Sequence, residues 1–370
     1  MDWDGLKYLL ALKEIPGVGN ILAKMLIQEA GSAREVFRMP IGKLLKLPKL
    51  SEKSAKEIIH FKNFDRIETE IAYCDKESIR ILPYFDKDYP SRLLQCHDAP
   101  LLLYQKGNAN LNASKMVAIV GTRNSTDYGK QVTECIIDTL QPHQATIISG
   151  LALGIDGIAH RKSINSHLPT IAVLGHSLSQ IYPRQHYALA QQILANGAWV
   201  SEYSIHSSFD RNNFPMRNRI VAGMCDAVIL IESARKGGAM ITAEIAHSYG
   251  REVYAVPGKW TDIHSQGPNH LIKTFKAHIL TKPDDLAEDL GWQIKQQLII
   301  DTFYDRKLTL QQLEGDELKI ATSMDFNESY PIDTIHYATG IPIHKLSSVL
   351  LSMEFKGILK ALPGKRFQLR

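Results

Sequence analysis

Between about residue 110 and residue 290, short apolar segments alternate with longer segments whose apolar residues recur at helical spacing. The short segments are rich in β-branched residues, which is typical of strands buried on both faces of a parallel sheet. This alternation predicts an α/β fold, a Rossmann-like doubly wound parallel sheet with right-handed crossovers. The predicted strands are Val117–Val120, Thr146–Ile148, Thr170–Leu174, Ala198–Ser201, Ala227–Ile231 and Glu252–Ala255, and the predicted helices are Tyr128–Leu140, Asp156–Ser166, Gln185–Ala195, Arg217–Ala222 and Thr242–Tyr249.

Residues 1–80 show a helical pattern instead, with two related helix–turn–helix units at residues 9–23 and 44–55. The first unit carries the hydrophobic-Gly-hydrophobic-Gly turn of a helix-hairpin-helix or SAM-like module. Gly17 and Gly19 would leave backbone N–H groups free at a helix N-terminus, where a phosphate can bind. The second unit lacks both glycines. A packing role for this helical domain is therefore as well supported as a DNA contact.

The C-terminal pattern predicts a winged helix over residues 326–370. Helices at Ile332–Ala338 and His344–Phe355 are followed by a hairpin in which Gly357–Lys360 and Arg366–Leu369 flank the turn. The second helix has few cations, so a protein-binding or packing role remains open beside DNA binding. The predicted domains are the helical module 1–80, the Rossmann-like core 81–290, a polar connector 291–325 with one helix at Leu313–Met324, and the winged helix 326–370.

Composition narrows the class of protein only moderately. Of the 370 residues, 44% are hydrophobic and 22% charged, as in ordinary globular proteins. The net charge of +4 is small, so any nucleic-acid binding has to come from a local patch. The four cysteines are scattered without a Cys-x-x-Cys pair, which favours a reducing compartment over a zinc site or a disulfide framework. The acidic N-terminus lacks the features of a signal peptide, and no apolar run approaches the ~20 residues of a membrane span. We therefore expect a cytoplasmic protein without membrane association.

The first strand of the core ends in Gly121-Thr122-Arg123. No second and third glycine follow at the spacing of a dinucleotide fingerprint, so a bare backbone approach to pyrophosphate is not expected. Arg123 instead places a guanidinium at the strand end, and a guanidinium binds phosphate oxygens with a planar set of donors. An exposed loop arginine without a function is the alternative.

Two later strands also end in loops suited to anions. Ser149-Gly150 and Gly154-Ile155-Asp156 join a strand to a helix, with Asp156 predicted as the helix cap, and glycine permits close backbone approach. A simple tight turn explains the same residues. The next strand is followed by Gly175 and, further on, by Tyr182-Pro183-Arg184.

Residues 207–219 combine arginine, phenylalanine and asparagine more densely than any other segment. Aromatic rings can stack on bases while arginines bind phosphates and amides bind base edges, which is the combination that single-stranded nucleic acid requires. The competing interpretation places Phe214 in the core and pairs Arg219 with a carboxylate. Gly237-Gly238, a glycine turn that leads into the predicted helix starting at Thr242, is a further possible anion site.

Acid–base or metal chemistry has little support in the sequence. Asp156, Glu202 and Glu244 are the carboxylates that follow strands or begin helices, and their spacing marks no catalytic pair. His160 and His247 lie within helical patterns and are expected to be core or surface residues. We therefore predict no catalytic residue, no metal and no cofactor.

Because parallel strands all end at one edge of a sheet, these loops are expected to meet in one site for single-stranded nucleic acid. The predicted DNA-binding residues are Gly121, Thr122, Arg123, Ser149, Gly150, Gly154, Asp156, Gly175, Arg184, Arg211, Phe214, Arg217, Asn218, Arg219, Gly237, Gly238 and Thr242, with Gly17 and Gly19 as possible backbone phosphate contacts.

Several long motifs resemble the DNA-processing protein A family (DprA, also called Smf). They include Val117–Arg123, Ser149–Asp156 with Ala159-His160, Phe214-Pro-Met-Arg-Asn-Arg219, Gly250–Gly258 and Gly267–Ile272. The resemblance covers the α/β core almost end to end. One departure is Lys276-Ala277, where the family usually has Gly-Ala.

The resemblance implies a bacterial protein that binds single-stranded DNA during natural transformation. Family members protect incoming strands, load the RecA recombinase onto them, and act as homodimers formed through the α/β core. The motifs that match the family would place Arg123, Arg184, Phe214, Arg217 and Arg219 in its DNA pocket.

Two other functions remain as alternatives. The first is hydrolysis of nucleoside monophosphates, because related folds in phosphoribohydrolases carry a glycine-rich motif ending in a glutamate that corresponds to Glu244. The second is an adaptor for double-stranded DNA or protein that works through the two terminal modules.

Overall fold

The computed structural model describes residues 3–292, 313–325, 328–362 and 365–369. The chain divides into two compact units, residues 1–292 and residues 293–370. None of the described helices is both long enough and apolar enough to cross a bilayer.

The first unit is built around a mostly parallel sheet, and all six strands predicted for the core are confirmed within it. The order of the nine described strands is β1-β2-β6-β5-β4-β3-β7-β8-β9. Strands β3 to β9 pair in parallel, whereas β2 is antiparallel to both β1 and β6. The strands are β1 (Ile79–Pro83), β2 (Leu102–Gly107), β3 (Met116–Val120), β4 (Thr146–Ser149), β5 (Thr170–Val173), β6 (Gly197–Ser201), β7 (Ala227–Leu230), β8 (Glu252–Ala255) and β9 (His278–Ile279).

Helices cover both faces of the sheet, as a doubly wound fold requires. Along β3, Val117 and Ile119 pack into one apolar cluster with residues of the helices that follow β3 and β4. Met116, Ala118 and Val120 pack into a second cluster on the opposite face. This alternation has the two-residue period of a strand, and burial of both faces explains why the strand sequences are continuously apolar.

The sequence did not predict β1, β2 or β9. β1 contains an exposed arginine and ends in proline, and β9 is a pair of exposed residues at the sheet edge. Neither β1 nor β9 has the continuous apolar pattern of the central strands. The predicted domain boundary at residue 80 falls inside β1 and stays a prediction.

The helical character of the first 80 residues is confirmed, and these helices share an apolar core with the sheet. Leu9 and Leu12 of the first helix belong to the same buried cluster as Leu102, Tyr104 and Ile193. The helices of this unit are α1 (Trp3–Glu14), α2 (Asn20–Ala30), α3 (Ala33–Arg38), α4 (Ile41–Leu44), α5 (Glu52–Ile59), α6 (Phe64–Lys76), α7 (Ser91–Leu94), α8 (Asp127–Leu140), α9 (Ile155–Asn165), α10 (Tyr187–Ile193), α11 (Asn213–Gly223), α12 (Gly238–Ser248), α13 (Gln266–Lys273) and α14 (Asp285–Asp289).

Two helix starts differ from the sequence prediction and change the site. Both α11 and α12 begin four residues earlier than predicted, so Phe214 lies in the first turn of α11 and Gly238 begins α12. The prediction of Asp156 as the cap of α9 is wrong. Gly154 precedes the helix, and Asp156 is its second residue.

The second unit is a winged helix, as predicted. Leu346, Leu350 and Met353 form its core with Ile335 and Leu359. The strand order is β10-β12-β11, all antiparallel. Its elements are α15 (Gly315–Thr322), β10 (Tyr330–Pro331), α16 (Ile332–Thr339), α17 (Ile343–Phe355), β11 (Leu359–Leu362) and β12 (Arg366–Leu369). Of the predicted connector, residues 293–312 lie outside the described residues.

Candidate nucleic-acid interface

A cavity of about 320 Å³ opens at the edge of the sheet where the parallel strands end, which we call the carboxyl edge. The loops after β3, β4 and β7 and the first turns of α11 and α12 line it. Ligands of doubly wound folds bind at this edge because the loops that follow the strands converge there. Of the predicted DNA-binding residues, those that line the cavity are Gly121, Thr122, Arg123, Gly150, Asp156, Phe214, Arg217, Asn218, Gly237, Gly238 and Thr242.

One face of α11 supplies the largest side chains of the cavity wall. Phe214, Arg217, Asn218 and Val221 all line it. Their spacing of three and four residues places them on one side of a helix. The early start of α11 is what brings Phe214 onto this face.

Arg219 lies on the opposite face of α11, two residues from Arg217, and its prediction as a pocket residue is wrong. Its guanidinium is buried in an ion pair with Glu202, donates to the Asp98 carbonyl at 2.8 Å, and lies 4.0 Å from the Asp98 carboxylate. The competing interpretation from the sequence, that Arg219 pairs with a carboxylate, is confirmed.

Arg217 is buried in the cavity wall. Its Nη1 donates to the Gly150 carbonyl at 2.8 Å and to the Val173 carbonyl. Its Nε is buried and has no hydrogen-bond partner among the described residues. Burial lowers the pKa of the guanidinium and the nearby Asp156 carboxylate opposes that shift. Because an arginine starts so far above neutrality, the group remains a cation at pH 7.

Asp156 lies buried beside this cation. Its Oδ2 accepts from Gly150 N at 3.1 Å and from Ala152 N at 3.4 Å, so it fixes the loop after β4. Burial raises the pKa of the carboxyl, and the Arg217 charge and the backbone donors oppose that shift. Asp156 therefore shapes the backbone of the site and does not present itself to solvent as an acid or a base.

Arg123 is exposed and makes no side-chain hydrogen bond or ion pair with any described residue. The loop that carries it is nevertheless fixed. Thr122 N donates to the Glu232 carbonyl at 2.7 Å, and Ile155 N donates to the Thr122 carbonyl at 3.2 Å. Gly154, at φ +75°, lets the loop after β4 pack on the Thr122–Arg123 backbone, where a Cβ would collide. A free guanidinium on a fixed loop is suited to a phosphate.

Beside the cavity lies an aromatic surface formed by Tyr182, Phe209 and Phe214, and the buried His176 ring contacts Phe209 and Phe214. The Phe214 ring centroid is 5.6 Å from that of Tyr182 and 5.7 Å from that of Phe209, and Tyr182 lies 5.1 Å from Phe209. Tyr182 and Phe209 are 45% and 43% exposed, so bases can reach their rings. Since Phe214 also lines the cavity, the aromatic surface and the cavity are continuous.

Arg184 and Arg211 are exposed near this surface in the chain, two residues after Tyr182 and Phe209 respectively. Neither forms an ion pair within the part of the chain that the structure describes. They do not line the cavity, and their contact with DNA stays a prediction.

Two other predicted residues are covered by the protein. Ser149 is buried and donates its hydroxyl to the Ile119 carbonyl at 2.7 Å, so it is a structural residue of β4. Gly175 is buried against Phe214, where a Cβ would lie 2.9 Å from the ring. Gly175 thus permits the position of Phe214 and offers no surface of its own.

The helix-hairpin-helix turn is formed as predicted, away from the cavity lining. Gly17 adopts φ +83°, and Gly19 precedes α2 with no side-chain cap. Both glycines are exposed. Their contact with a phosphate stays a prediction.

Residues of the N-terminal helices hold the loop that carries Phe209, and the sequence did not predict these contacts. Lys13 of α1 donates to the Glu202 carbonyl, and Arg66 of α6 donates to the His206 carbonyl at 3.3 Å. His206 Nε2 lies 3.1 Å from the Arg66 carbonyl and donates to it. These contacts join residues 140 or more positions apart, so no local pattern could have revealed them.

Four carboxylates and histidines considered in the sequence, Glu202, Glu244, His160 and His247, do not line the cavity. Glu244 is exposed with Lys276 at 3.9 Å and does not line the cavity, and Glu202 is engaged by Arg219. His160 is buried with Nδ1 2.7 Å from Thr170 Oγ1, and burial lowers its pKa to about 3, so it is a core residue, while His247 is exposed. The described residues contain no cluster of three metal-ligating side chains.

Fold and site together define a Rossmann-like protein with a cationic and aromatic site at the carboxyl edge, followed by a winged helix. Residues 80–291 match the family model described as DNA recombination-mediator protein A, and residues 305–365 match the DprA winged helix domain. The chain belongs to the DNA recombination-mediator protein A family.

The similarity to known proteins covers most of the chain. Protein Smf of Escherichia coli is 34% identical over 84% of this chain and 83% of its own length. The X-ray structure of DNA processing protein A from Streptococcus pneumoniae superimposes with a TM-score of 0.64 at 31% identity, over 76% of this chain and 97% of that one. DNA processing protein A from Helicobacter pylori superimposes with a TM-score of 0.52 at 30% identity, over 57% of this chain and 95% of that one. That structure addresses the single-stranded DNA binding mode of the Helicobacter pylori protein.

Proposed function

We propose that this protein binds single-stranded DNA along the carboxyl edge of its sheet, without catalysing a reaction. The observation that carries the proposal is the continuity of the aromatic surface with a cavity lined by the two cations Arg123 and Arg217. Rings accept the bases of an unpaired strand, whereas cations accept its phosphates. A duplex keeps its bases stacked on one another and cannot use such rings.

The Helicobacter pylori relative supports the same ligand, because its structure concerns a single-stranded DNA binding mode. The family resemblance supports three further proposals. The protein would protect incoming strands during natural transformation, load RecA onto them, and act in the cytoplasm as a homodimer formed through the α/β core. RecA loading is tested by the rate of RecA filament formation on DNA coated with a single-strand-binding protein, which should rise when this protein is added.

The central experiment is a competition titration of single-stranded against double-stranded oligonucleotides at several salt concentrations. If about four phosphates are neutralised, the logarithm of the affinity for single strands should fall with the logarithm of salt at a slope of about −3. Arg123→Ala should weaken binding to every sequence alike and flatten the slope by about 0.7. Phe214→Ala should remove the ~1–3 kcal/mol of one stacked base without changing the slope.

Two results would refute the proposal. One is equal affinity for single and double strands. The other is single-strand binding that survives the combined Arg123→Ala and Phe214→Ala substitutions unchanged. Release of a base from a panel of nucleotides, lost in Glu244→Gln, would favour the hydrolase alternative.

A further inference from the structure

The loop after β8 carries a tryptophan on the same edge of the sheet, beyond the cavity. Trp260 is 86% exposed, although an indole is the largest apolar side chain in a protein. β8 pairs in parallel with β7, so the loop that follows it emerges at the carboxyl edge. None of the sequence motifs described above contains this residue.

The tryptophan stands on a rigid support. Asp262 N donates to the Lys259 carbonyl at 3.0 Å and closes the turn that contains Trp260. The start of the loop is held by Asn269, whose side chain exchanges hydrogen bonds of 3.2 and 3.0 Å with Gly258. An exposed ring on a fixed turn can stack on a ligand at a low entropic cost, because little further ordering is needed.

This loop adjoins the cavity. Ser233, which lines the cavity, donates from its backbone N to the His264 carbonyl of the same loop at 2.7 Å. Ser233 also accepts at its own carbonyl from Gly267 N at 2.8 Å. The wall of the cavity and the support of Trp260 are therefore directly bonded to each other.

Cations lie on the loops at this end of the edge. Arg235 and Lys236 follow β7, and Lys259 precedes the tryptophan. All three are exposed, and none forms an ion pair with another described residue. The combination of free cations and one ring repeats the chemistry of the aromatic surface at the other end of the cavity.

We infer that Trp260 is a second base-stacking position, and that a single strand runs from the aromatic surface through the cavity to this ring. This inference rests on the proposed function and extends it. From β5 to β8 the path crosses four strand spacings, about 19 Å. At the stacked rise of about 3.4 Å per nucleotide this distance accommodates roughly six nucleotides.

The test measures the affinity of the full chain for oligothymidylates of about three and about ten nucleotides, lengths below and above this path. Trp260→Ala should leave the short oligonucleotide bound as in wild type and weaken the long one about tenfold, within the ~1–3 kcal/mol of one stacked base. Trp260→Phe should restore most of the affinity. In a Trp3→Phe background, intrinsic fluorescence should be quenched by the long oligonucleotide, and this quenching should be lost when Trp260→Phe is added, because the two remaining tryptophans, Trp199 and Trp292, are buried.

Phe275→Ala is the matched control. Phe275 is 93% exposed and precedes β9, which is parallel to β8, so it lies toward the opposite edge of the sheet. This variant should bind both oligonucleotides as wild type does. If Trp260→Ala binds the long oligonucleotide as tightly as wild type, the inference is wrong and the proposed function stands. If the wild-type protein binds no single-stranded DNA at all, both the inference about Trp260 and the proposed function are wrong.

Discussion

At the level of the residue, Arg217 and Arg219 show that one helix, α11, contributes side chains both to the cavity and to the protein interior. Two helical positions correspond to about 200°, so neighbouring arginines of this spacing face opposite ways. Arg217 faces the cavity, and Arg219 faces Glu202 in the interior. The two arginines therefore differ in what their removal should change, although the sequence presents them as one motif.

Arg219→Met should destabilise the protein strongly. It leaves the buried Glu202 carboxylate without its partner, which typically costs about 3–5 kcal/mol. The free energy of unfolding, measured by denaturant titration, should fall by this amount, and the combined Arg219→Met and Glu202→Leu substitution should recover part of it. Single-strand binding by the folded variant should keep the salt slope of wild type.

Arg123→Met is the control for this prediction. Because Arg123 is exposed and has no partner among the described residues, its replacement should change the free energy of unfolding by less than about 0.5 kcal/mol. Its effect should appear in the salt slope of DNA binding. A stable Arg219→Met protein with a flattened salt slope would instead place Arg219 on the DNA.

At the level of the element, the sequence predicted the six central strands of the sheet correctly because these strands are almost entirely buried on both faces and largely apolar. Such a segment depends little on its neighbours in space. It also predicted that the loops after these strands meet at one edge, since this follows from parallel pairing alone.

The start of α11 and the partner of Arg219 were not predictable from the sequence. Residues 207–216 contain Pro215, and their apolar residues show no helical periodicity. Glu202 becomes the partner of Arg219 only when β6 and α11 pack together in the fold.

The loop between β6 and α11 gives a prediction at this level. Arg66 of α6 bonds to His206 in both directions, so the N-terminal helices fix the position of Phe209 in the aromatic surface. Arg66→Met should speed amide exchange over residues 204–211. It should also weaken single-strand binding roughly threefold to tenfold, a part of the ~1–3 kcal/mol of one stacked base.

Arg38→Met provides the comparison, because Arg38 pairs with Glu35 on α3 at 3.2 Å and does not contact this loop. It should change neither exchange over residues 204–211 nor DNA affinity. In a Phe209→Ala background, Arg66→Met should have no further effect on affinity. Additive losses would mean that Arg66 acts on the whole unit and not through Phe209.

At the level of the whole molecule, the lysines on and directly after α17 of the winged helix are not free to bind a phosphate backbone. Lys345 of α17 pairs with Asp316 at 2.5 Å, and Lys356, which directly follows α17, pairs with Glu317 at 2.7 Å. Both carboxylates belong to α15 of the same unit. A helix whose lysines are already paired gains less from counterion release than one with free lysines.

We therefore expect the fragment 1–292 to hold the single-strand affinity of the full chain within about threefold, or ~0.7 kcal/mol. This fragment is one compact unit and keeps the apolar cluster that α1 to α6 share with β1 and β2. A fragment starting at residue 85 would expose that cluster and lose β1, so it should aggregate and is unsuitable for the comparison. Titrating the fragment 1–292 and the full chain with the same oligonucleotides distinguishes single-strand binding by the first unit from the adaptor model. Loss of single-strand affinity in the fragment would mean that the second unit contributes to binding, and preference of the full chain for double strands would favour the adaptor model.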